Sequence, residues 1–221
     1  MSRTLVTSHG RSVQIDTKPI GSGGEGSIHR IVSPANTQFI AKIYKDTQKA
    51  GESYRKIKYM IEHSPLKKAS QKLREVIIWP AEMLFLNNTF VGYIMPFVDG
   101  GISLEELAGR YKLGPKYGTI WEKFDHDQSN AHFIRLKLCY NLAQAIKVLH
   151  ATGKYVLVDL KPQNVIIKND GTFSIIDLDS SQINNSQIFF PATVKSDEYA
   201  PPEYHNNRIN FKTDKVEQNW D

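Results

Sequence analysis

One cysteine, Cys139, is all the thiol chemistry the 221 residues carry. A lone thiol closes no internal disulfide and builds no multi-cysteine zinc site, so the chain reads as suited to a reducing compartment, with the cytoplasm the simplest home. Missing too is any apolar run of about 18 residues, the length a membrane helix needs. The opening Met1-Ser2-Arg3-Thr4 has no apolar core of a signal peptide. Neither a membrane partner nor export is expected. No repeat or low-complexity tract is present. Basic residues exceed acidic ones by little, 28 against 23, for a net charge of +5. Lys56, Lys58, Lys67, Lys68 and Lys72 lie in or after one polar helix without the interleaved aromatics of a nucleic-acid groove. They read as a solvated face, and no nucleic-acid partner is expected. What remains, 40% hydrophobic and 23% charged, is enough for one packed domain of two lobes and too apolar for disorder.

Residues 12–44 alternate apolar stretches with Gly and turn residues, as antiparallel strands do, and Phe39-Ile40-Ala41-Lys42-Ile43-Tyr44 closes the run. Tyr54, Ile57, Met60 and Ile61 then recur at helical spacing between Gly51 and His63, and Pro65 stops the pattern. Glu82–Leu86 and Phe90–Met95 read as a hairpin around Asn87-Asn88. Beyond it, Ser103 with Glu106 makes a capping box, and Phe133 to Leu149 carries a long amphipathic pattern. Val165–Ile167 and Phe173–Ile176 flank Asn169-Asp170-Gly171, a second hairpin.

Gly21-Ser22-Gly23-Gly24-Glu25-Gly26 has the form of a phosphate-binding loop, in which absent side chains let backbone N–H groups reach phosphate oxygens. Taken alone it reads better as a plain hairpin turn. A dinucleotide fingerprint is disfavoured because a strand follows in place of a helix. Sixteen residues after Gly26 stands Lys42, between Ala41 and Ile43 in an apolar strand. Burying such a lysine is costly without an anion, which phosphate oxygens would supply; snorkelling at a strand edge is the alternative.

Val158-Asp159-Leu160-Lys161-Pro162-Gln163-Asn164 is followed thirteen residues later by Asp177. Here the chain resembles the eukaryotic-like Ser/Thr protein kinases, whose catalytic loop carries Asp-Leu-Lys-Pro-x-Asn with a metal-binding Asp at this distance downstream. The resemblance implies an α+β, two-lobed kinase-like fold, with a small antiparallel-sheet N-lobe over residues 1–98 and a partial helical C-lobe over 99–221. It implies ATP and Mg²⁺ as cofactors, a protein substrate, Asp159 as catalytic base, Lys161 on the moving phosphoryl group, and Asn164 and Asp177 as metal ligands. Ser196-Asp197-Glu198-Tyr199-Ala200-Pro201-Pro202-Glu203 resembles the family's substrate-side loop, with Ser196 where Ser/Thr kinases place a hydroxyl on the catalytic Asp and Lys. By the same carry-over, Met95 is the gatekeeper. Pro96 and Val98 offer hinge backbone groups to adenine, Ile28 and Ala41 roof it, and Ile166 floors it.

Leu157-Val158 stands where the family has His-Arg, so control by a loop phosphate loses its counter-charge. Asp177-Leu178-Asp179 replaces Asp-Phe-Gly, and Asp179 takes glycine-like conformations at a cost. For the helix carboxylate that pairs with Lys42, Glu52 is preferred to Glu62, which sits at the end before Pro65. These departures resemble a divergent bacterial or phage branch. Asn219-Trp220-Asp221 resembles the start of the large buried C-lobe helix, so a further chain segment or a partner is expected to complete that lobe. Two other functions stay open: a pseudokinase or nucleotide-binding scaffold, and a small-molecule kinase of the aminoglycoside or choline type, which generally lacks a segment like 196–203.

Overall fold

The computed structural model describes residues 1–35, 37–109, 111–185, 187–206 and 208–221, the side chain of Asn219 excepted. They fall into two units, Met1–Lys67 with Ile78–Phe97, and Lys68–Ile77 with Val98–Asp221.

The first unit is an antiparallel sheet with one helix. Its strands are β1 (Ser2–Thr7), β2 (Ser12–Asp16), β3 (Gly21–Ser22), β4 (Gly26–Ser33), β5 (Phe39–Tyr44), β6 (Glu82–Leu86) and β7 (Thr89–Pro96). The order is β2-β1-β6-β7-β5-β4-β3, and β2 also pairs β4, which curls the sheet on itself. Strand periodicity sorts the side chains. Leu5, Val13, Ile15, Ala41, Ile43, Leu84 and Ile94 point to one face and form its core. Gly92 lets β7 close on β5, since a Cβ there would lie 2.0 Å from the Lys42 carbonyl oxygen. The helix α1 (Thr47–Glu62) starts where the Asp46 carboxylate accepts the Lys49 N–H at 2.7 Å. Its inward stripe is Ala50, Ser53, Lys56, Ile57 and Met60. Lys56 is therefore 3% exposed and does not belong to the solvated face expected of the lysine-rich stretch.

The second unit opens with α2 (Gln71–Val76), capped by Ser70. It continues through β8 (Ile102–Ser103), α3 (Leu104–Ala108), α4 (Leu113–Tyr117) and the long α5 (Ala131–His150). Ser103 accepts the Glu106 N–H at 3.1 Å, as the capping pattern requires. After β9 (Tyr155–Val156) come the hairpin β10 (Val165–Ile167) and β11 (Phe173–Ile175), then β12 (Gln182–Asn184), β13 (Phe189–Phe190) and α6 (Pro202–His205). A second core gathers Val156, Val158, Ala192, Phe211, Val216 and Trp220. The fully buried Gln182 stitches it. Its amide donates to the carbonyls of Phe211 (3.3 Å) and Asp214 (2.8 Å), and its oxygen accepts from Val216 N at 2.8 Å. Among the described residues no helix is long and apolar enough to cross a membrane.

Candidate active site

In the first unit the glycine loop joins β3 to β4. The Gly23 N–H donates to the Gly26 carbonyl at 2.9 Å, closing the turn. Gly21, Ser22, Gly23 and Gly24 are exposed, and a Cβ at Gly23 or Gly24 would meet nothing within 4 Å. Gly26 differs, because a Cβ there would sit 2.6 Å from the Ile43 carbonyl oxygen. The loop thus has two glycines facing open space and one fixed by strand packing. Its tip is tethered, with Lys49 Nζ donating to Gly24 O at 3.0 Å and Lys45 N–H to Glu25 O at 3.0 Å.

Lys42 is 4% exposed, and its Nζ lies 4.0 Å from Glu25 Oε2. The helix carboxylate expected to hold it is elsewhere. Glu52 is exposed and accepts from Gln48 Nε2 at 3.0 Å, while Glu62 is exposed beside Lys58. The 3.6-residue period puts Ser53 and Lys56 inward and turns Glu52 out.

The adenine-side residues separate by strand face. Direct cross-strand partners share a face, so Ile28 lies with Lys42, and Met95 with Ile40. Ile40 is two residues from Lys42 and on its side of β5, which joins Ile28, Ile40, Lys42 and Met95 on one surface. Ala41 is on the other, fully buried in the sheet core, so it does not share the Lys42 surface that the expected adenine roof requires, whereas Ile40 does. Pro96 is half-buried as the last residue of β7, and the adjoining Phe97 N–H donates to Gln38 O at 2.8 Å.

In the second unit, Val98 is half-buried, and Ile166 is half-buried in β10 opposite Ser103 and Ser174. Beyond β9, Leu157 and Val158 are 3% and 4% exposed. Apolar side chains therefore fill the positions of the missing His-Arg. Their backbone is held from the C-terminal segment. Asp221 Oδ1 accepts the Leu157 N–H at 2.7 Å, and the Trp220 indole N–H donates to Val158 O at 3.0 Å. Burial pushes the Asp221 carboxyl above its usual range, opposed by the His150 ring at 2.7 Å and the Leu157 N–H.

That support fixes Asp159, 3% exposed. Ser196 Oγ donates to Asp159 Oδ1 at 2.8 Å, Lys161 Nζ lies 2.8 Å from Asp159 Oδ2, and the same ammonium donates to Ser196 Oγ at 3.0 Å. A 3-10 turn, Pro162–Asn164, brings Asn164 back so that its Nδ2 donates to the Asp159 carbonyl at 2.9 Å. With its amide hydrogens so used, Asn164 keeps Oδ1 as a hard-oxygen donor. Asp159, Asn164 and Asp177 border one small cavity of about 10 Å³. Asp177 itself adopts the left-handed conformation (φ 62°), its carbonyl accepting from Ser180 Oγ at 2.8 Å. The strain expected at Asp179 therefore falls on Asp177, while Asp179 sits buried in the turn Leu178–Ser180. One carboxylate and one amide oxygen suit Mg²⁺, which takes few protein ligands and completes its shell with phosphate and water. Among the described residues no group of three or more His, Cys, Asp or Glu is arranged for a metal.

Lys195, which the sequence did not single out, pairs with Asp197 and lies 4.0 Å above the Tyr204 ring. This clamps the turn that carries Ser196. Glu203 is exposed, and among the described residues it has no ion pair.

No curated protein sequence matches the chain. Solved structures that it resembles include a rhoptry kinase from Toxoplasma gondii (TM-score 0.61, 14% identity, 95% of this chain and 57% of that one). A second is the ROP18 kinase domain in complex with AMP-PNP and sucrose (0.57, 17%, 92% and 61%). A third is ROP2 of Toxoplasma gondii, described as a virulence factor with a protein-kinase fold and no enzymatic activity (0.60, 14%, 94% and 61%). The chain thus spans about three fifths of the length of these structures, and at such identity the likeness speaks for fold alone. The sequence itself matches the protein kinase domain family over residues 15–216, and the chain belongs to that family.

Proposed function

We propose that the chain binds Mg-ATP and transfers its γ-phosphate to Ser or Thr hydroxyls of a protein. The observation that carries this reading is the Asp159–Lys161–Ser196 triangle, all three sides at 2.8–3.0 Å. Asp159 orients the incoming hydroxyl and accepts its proton, Lys161 offsets charge on the phosphoryl oxygens, and Ser196 holds the Asp159 carboxylate. Lys42 and the N–H groups of the Gly21–Gly26 loop position the phosphates. Asn164 and Asp177 would hold Mg²⁺, which neutralises charge on the β- and γ-phosphates. Ile28, Ile40 and Met95 supply apolar contact to adenine, with hinge backbone at Pro96 and Val98 and with Ile166. The ROP18 structure with AMP-PNP supports nucleotide use by this fold. A cytoplasmic setting agrees with the lone cysteine.

A thermal-shift measurement tests the reading. ATP with Mg²⁺ should stabilise the chain, by about 2.7 kcal/mol at a hundredfold excess over Kd, and Asp177→Ala should abolish the Mg²⁺-dependent part. An equal shift in EDTA would favour a second reading, a nucleotide-binding scaffold without turnover. The likeness to ROP2, whose structure is described as lacking enzymatic activity, keeps that reading in view.

A further inference from the structure

Within the second unit, α2, α5 and the β10–β11 hairpin enclose a cavity of about 440 Å³, inside the range of roughly 300–1,000 Å³ that small-molecule sites occupy. We propose that it binds an amphipathic organic anion, an apolar body that ends in a carboxylate or comparable acid group. No residue of the cavity belongs to the nucleotide, metal or Asp159–Lys161–Ser196 sets, so the proposal is independent of phosphoryl transfer. The walls follow from helical spacing. Leu73 and Val76 stand three residues apart on α2, as Ala145 and Val148 do on α5, and each pair shares a face. Phe173, 5% exposed, closes the floor. Ala145 brings only a methyl group to this space and leaves it unfilled. The gap is held by bonds between α2 and the hairpin, where Ser174 Oγ donates to Glu75 O at 2.7 Å and Ile77 bridges Ile175. Leu73 and Val76 are half-buried and Val148 is 36% exposed, so apolar surface stands in water that a ligand would displace.

The polar groups of the lining divide into those already used and those still open. Glu75 accepts from Gln71 Nε2 at 3.1 Å, the Ser70 hydroxyl accepts the Leu73 N–H at 3.3 Å, and the Thr172 hydroxyl donates to Asp170 at 2.6 Å. Among the described residues, the Lys72 ammonium has no ion pair and the side-chain amides of Asn141 and Gln144 make no hydrogen bond. Lys168 supplies a second ammonium. The acid that feels it, Asp170, is held by the Thr172 N–H at 2.8 Å as well as by its hydroxyl. Two ammoniums thus face one carboxylate, Glu75, among the lining residues. The open groups are donors beside an apolar floor, and they match a negatively charged, acceptor-rich head on an apolar body.

The test titrates the full chain with sodium octanoate and, as the neutral counterpart, with 1-octanol, following the methyl groups of leucine, valine and alanine by NMR. Octanoate should bind with Kd below about 1 mM, and the shifts should gather on Leu73, Val76, Ala145 and Val148. Lys72→Glu combined with Lys168→Glu should weaken octanoate at least about tenfold and leave octanol within about twofold, because only the acid uses the ammoniums. Ala145→Leu, which fills the cavity, should weaken both ligands at least about tenfold. The charge-reversed variant changes only surface and rim groups, so it decides the matter even where Ala145→Leu disturbs the fold. Shifts that are absent at about 1 mM octanoate, or that gather on other methyl groups, overturn the site. Octanoate affinity unmoved by the charge reversal overturns the assignment to an anion.

Discussion

Ser196 Oγ donates a 2.8 Å hydrogen bond to Asp159 Oδ1, across 37 residues of chain. The bond fixes one carboxylate oxygen while Lys161 takes the other. Ser196→Ala should therefore lower kcat about 10- to 100-fold, the cost of about 1–3 kcal/mol for a lost bond to a charged group, with KM for ATP little changed. Ser196→Thr should recover most of it. Steady-state kinetics of the two variants decide, and a large change confined to KM would contradict the role.

Lys195 is the built-in counter-charge of the segment that carries Ser196. It joins Asp197 to the faces of Tyr204 and Phe211, at 4.0 and 5.9 Å. With Leu157-Val158 in place of His-Arg, this clamp is one ordering contact of the segment, beside the bonds of Ser196 to Asp159 and Lys161. Lys195→Ala should speed proteolytic cleavage and amide exchange across residues 193–205, consistent with about 0.5–2 kcal/mol of cation–π energy. Equal protection in both proteins would remove the clamp from the account.

Glu82 makes the first unit acid-sensitive. Burial alone would raise its carboxyl, but hydrogen bonds from Thr7, His9 and Arg11 outweigh burial and hold it below its ordinary value of 4.5. A depressed carboxyl stabilises the fold above that ordinary value and loses its contribution as pH falls through the folded one. Glu82→Gln should cost about 1–3 kcal/mol at pH 7 and flatten the acid limb of the stability curve below pH 4.5. Urea midpoints at pH 7 and pH 3.5 measure both. Parallel curves for parent and variant would show that Glu82 does not titrate this way.

Much of this was written in local pattern. The hairpins around Asn87-Asn88 and Asn169-Asp170-Gly171 carry residues that tolerate positive φ, which Asn87, Asn88 and Gly171 adopt. The catalytic loop was legible through its resemblance to the family's Asp-Leu-Lys-Pro-x-Asn pattern, and the 3-10 turn Pro162–Asn164 then brings Asn164 onto Asp159. The placement of Ala41 has a signal in the sequence, since neighbours in a strand face opposite ways and Ile40, not Ala41, shares a side with Lys42. Lys195 is harder to read, because the rings it lies over, Tyr204 and Phe211, stand 9 and 16 residues downstream and no local period encodes such distances. The helix α2 is too short, at six residues, for periodicity to register.

Trp220 ties the C-terminal segment to the catalytic loop through Val158 O. Trp220→Ala should cost about 3–5 kcal/mol as a large side chain leaves a buried cluster. Trp220→Phe, keeping most of the ring volume and losing the N–H, should cost nearer 1 kcal/mol yet lower activity by loosening Val158-Asp159. Denaturation together with kinetics separates the two effects. Full activity in Trp220→Phe would mean that the ring packs and the bond positions nothing.

The central claim is phosphoryl transfer, and the direct measurement follows labelled γ-phosphate from ATP onto a mixed protein substrate, with phospho-amino-acid analysis of the product. The account predicts Mg²⁺-dependent label on Ser and Thr by the parent chain. In Asp159→Ala, Lys42→Ala and Asp177→Ala, each still folded, the label should fall at least about a hundredfold, since positioning and charge supply most of the catalysis. Label that persists within about threefold in Asp159→Ala, or a folded parent that binds Mg-ATP and transfers nothing, would contradict it.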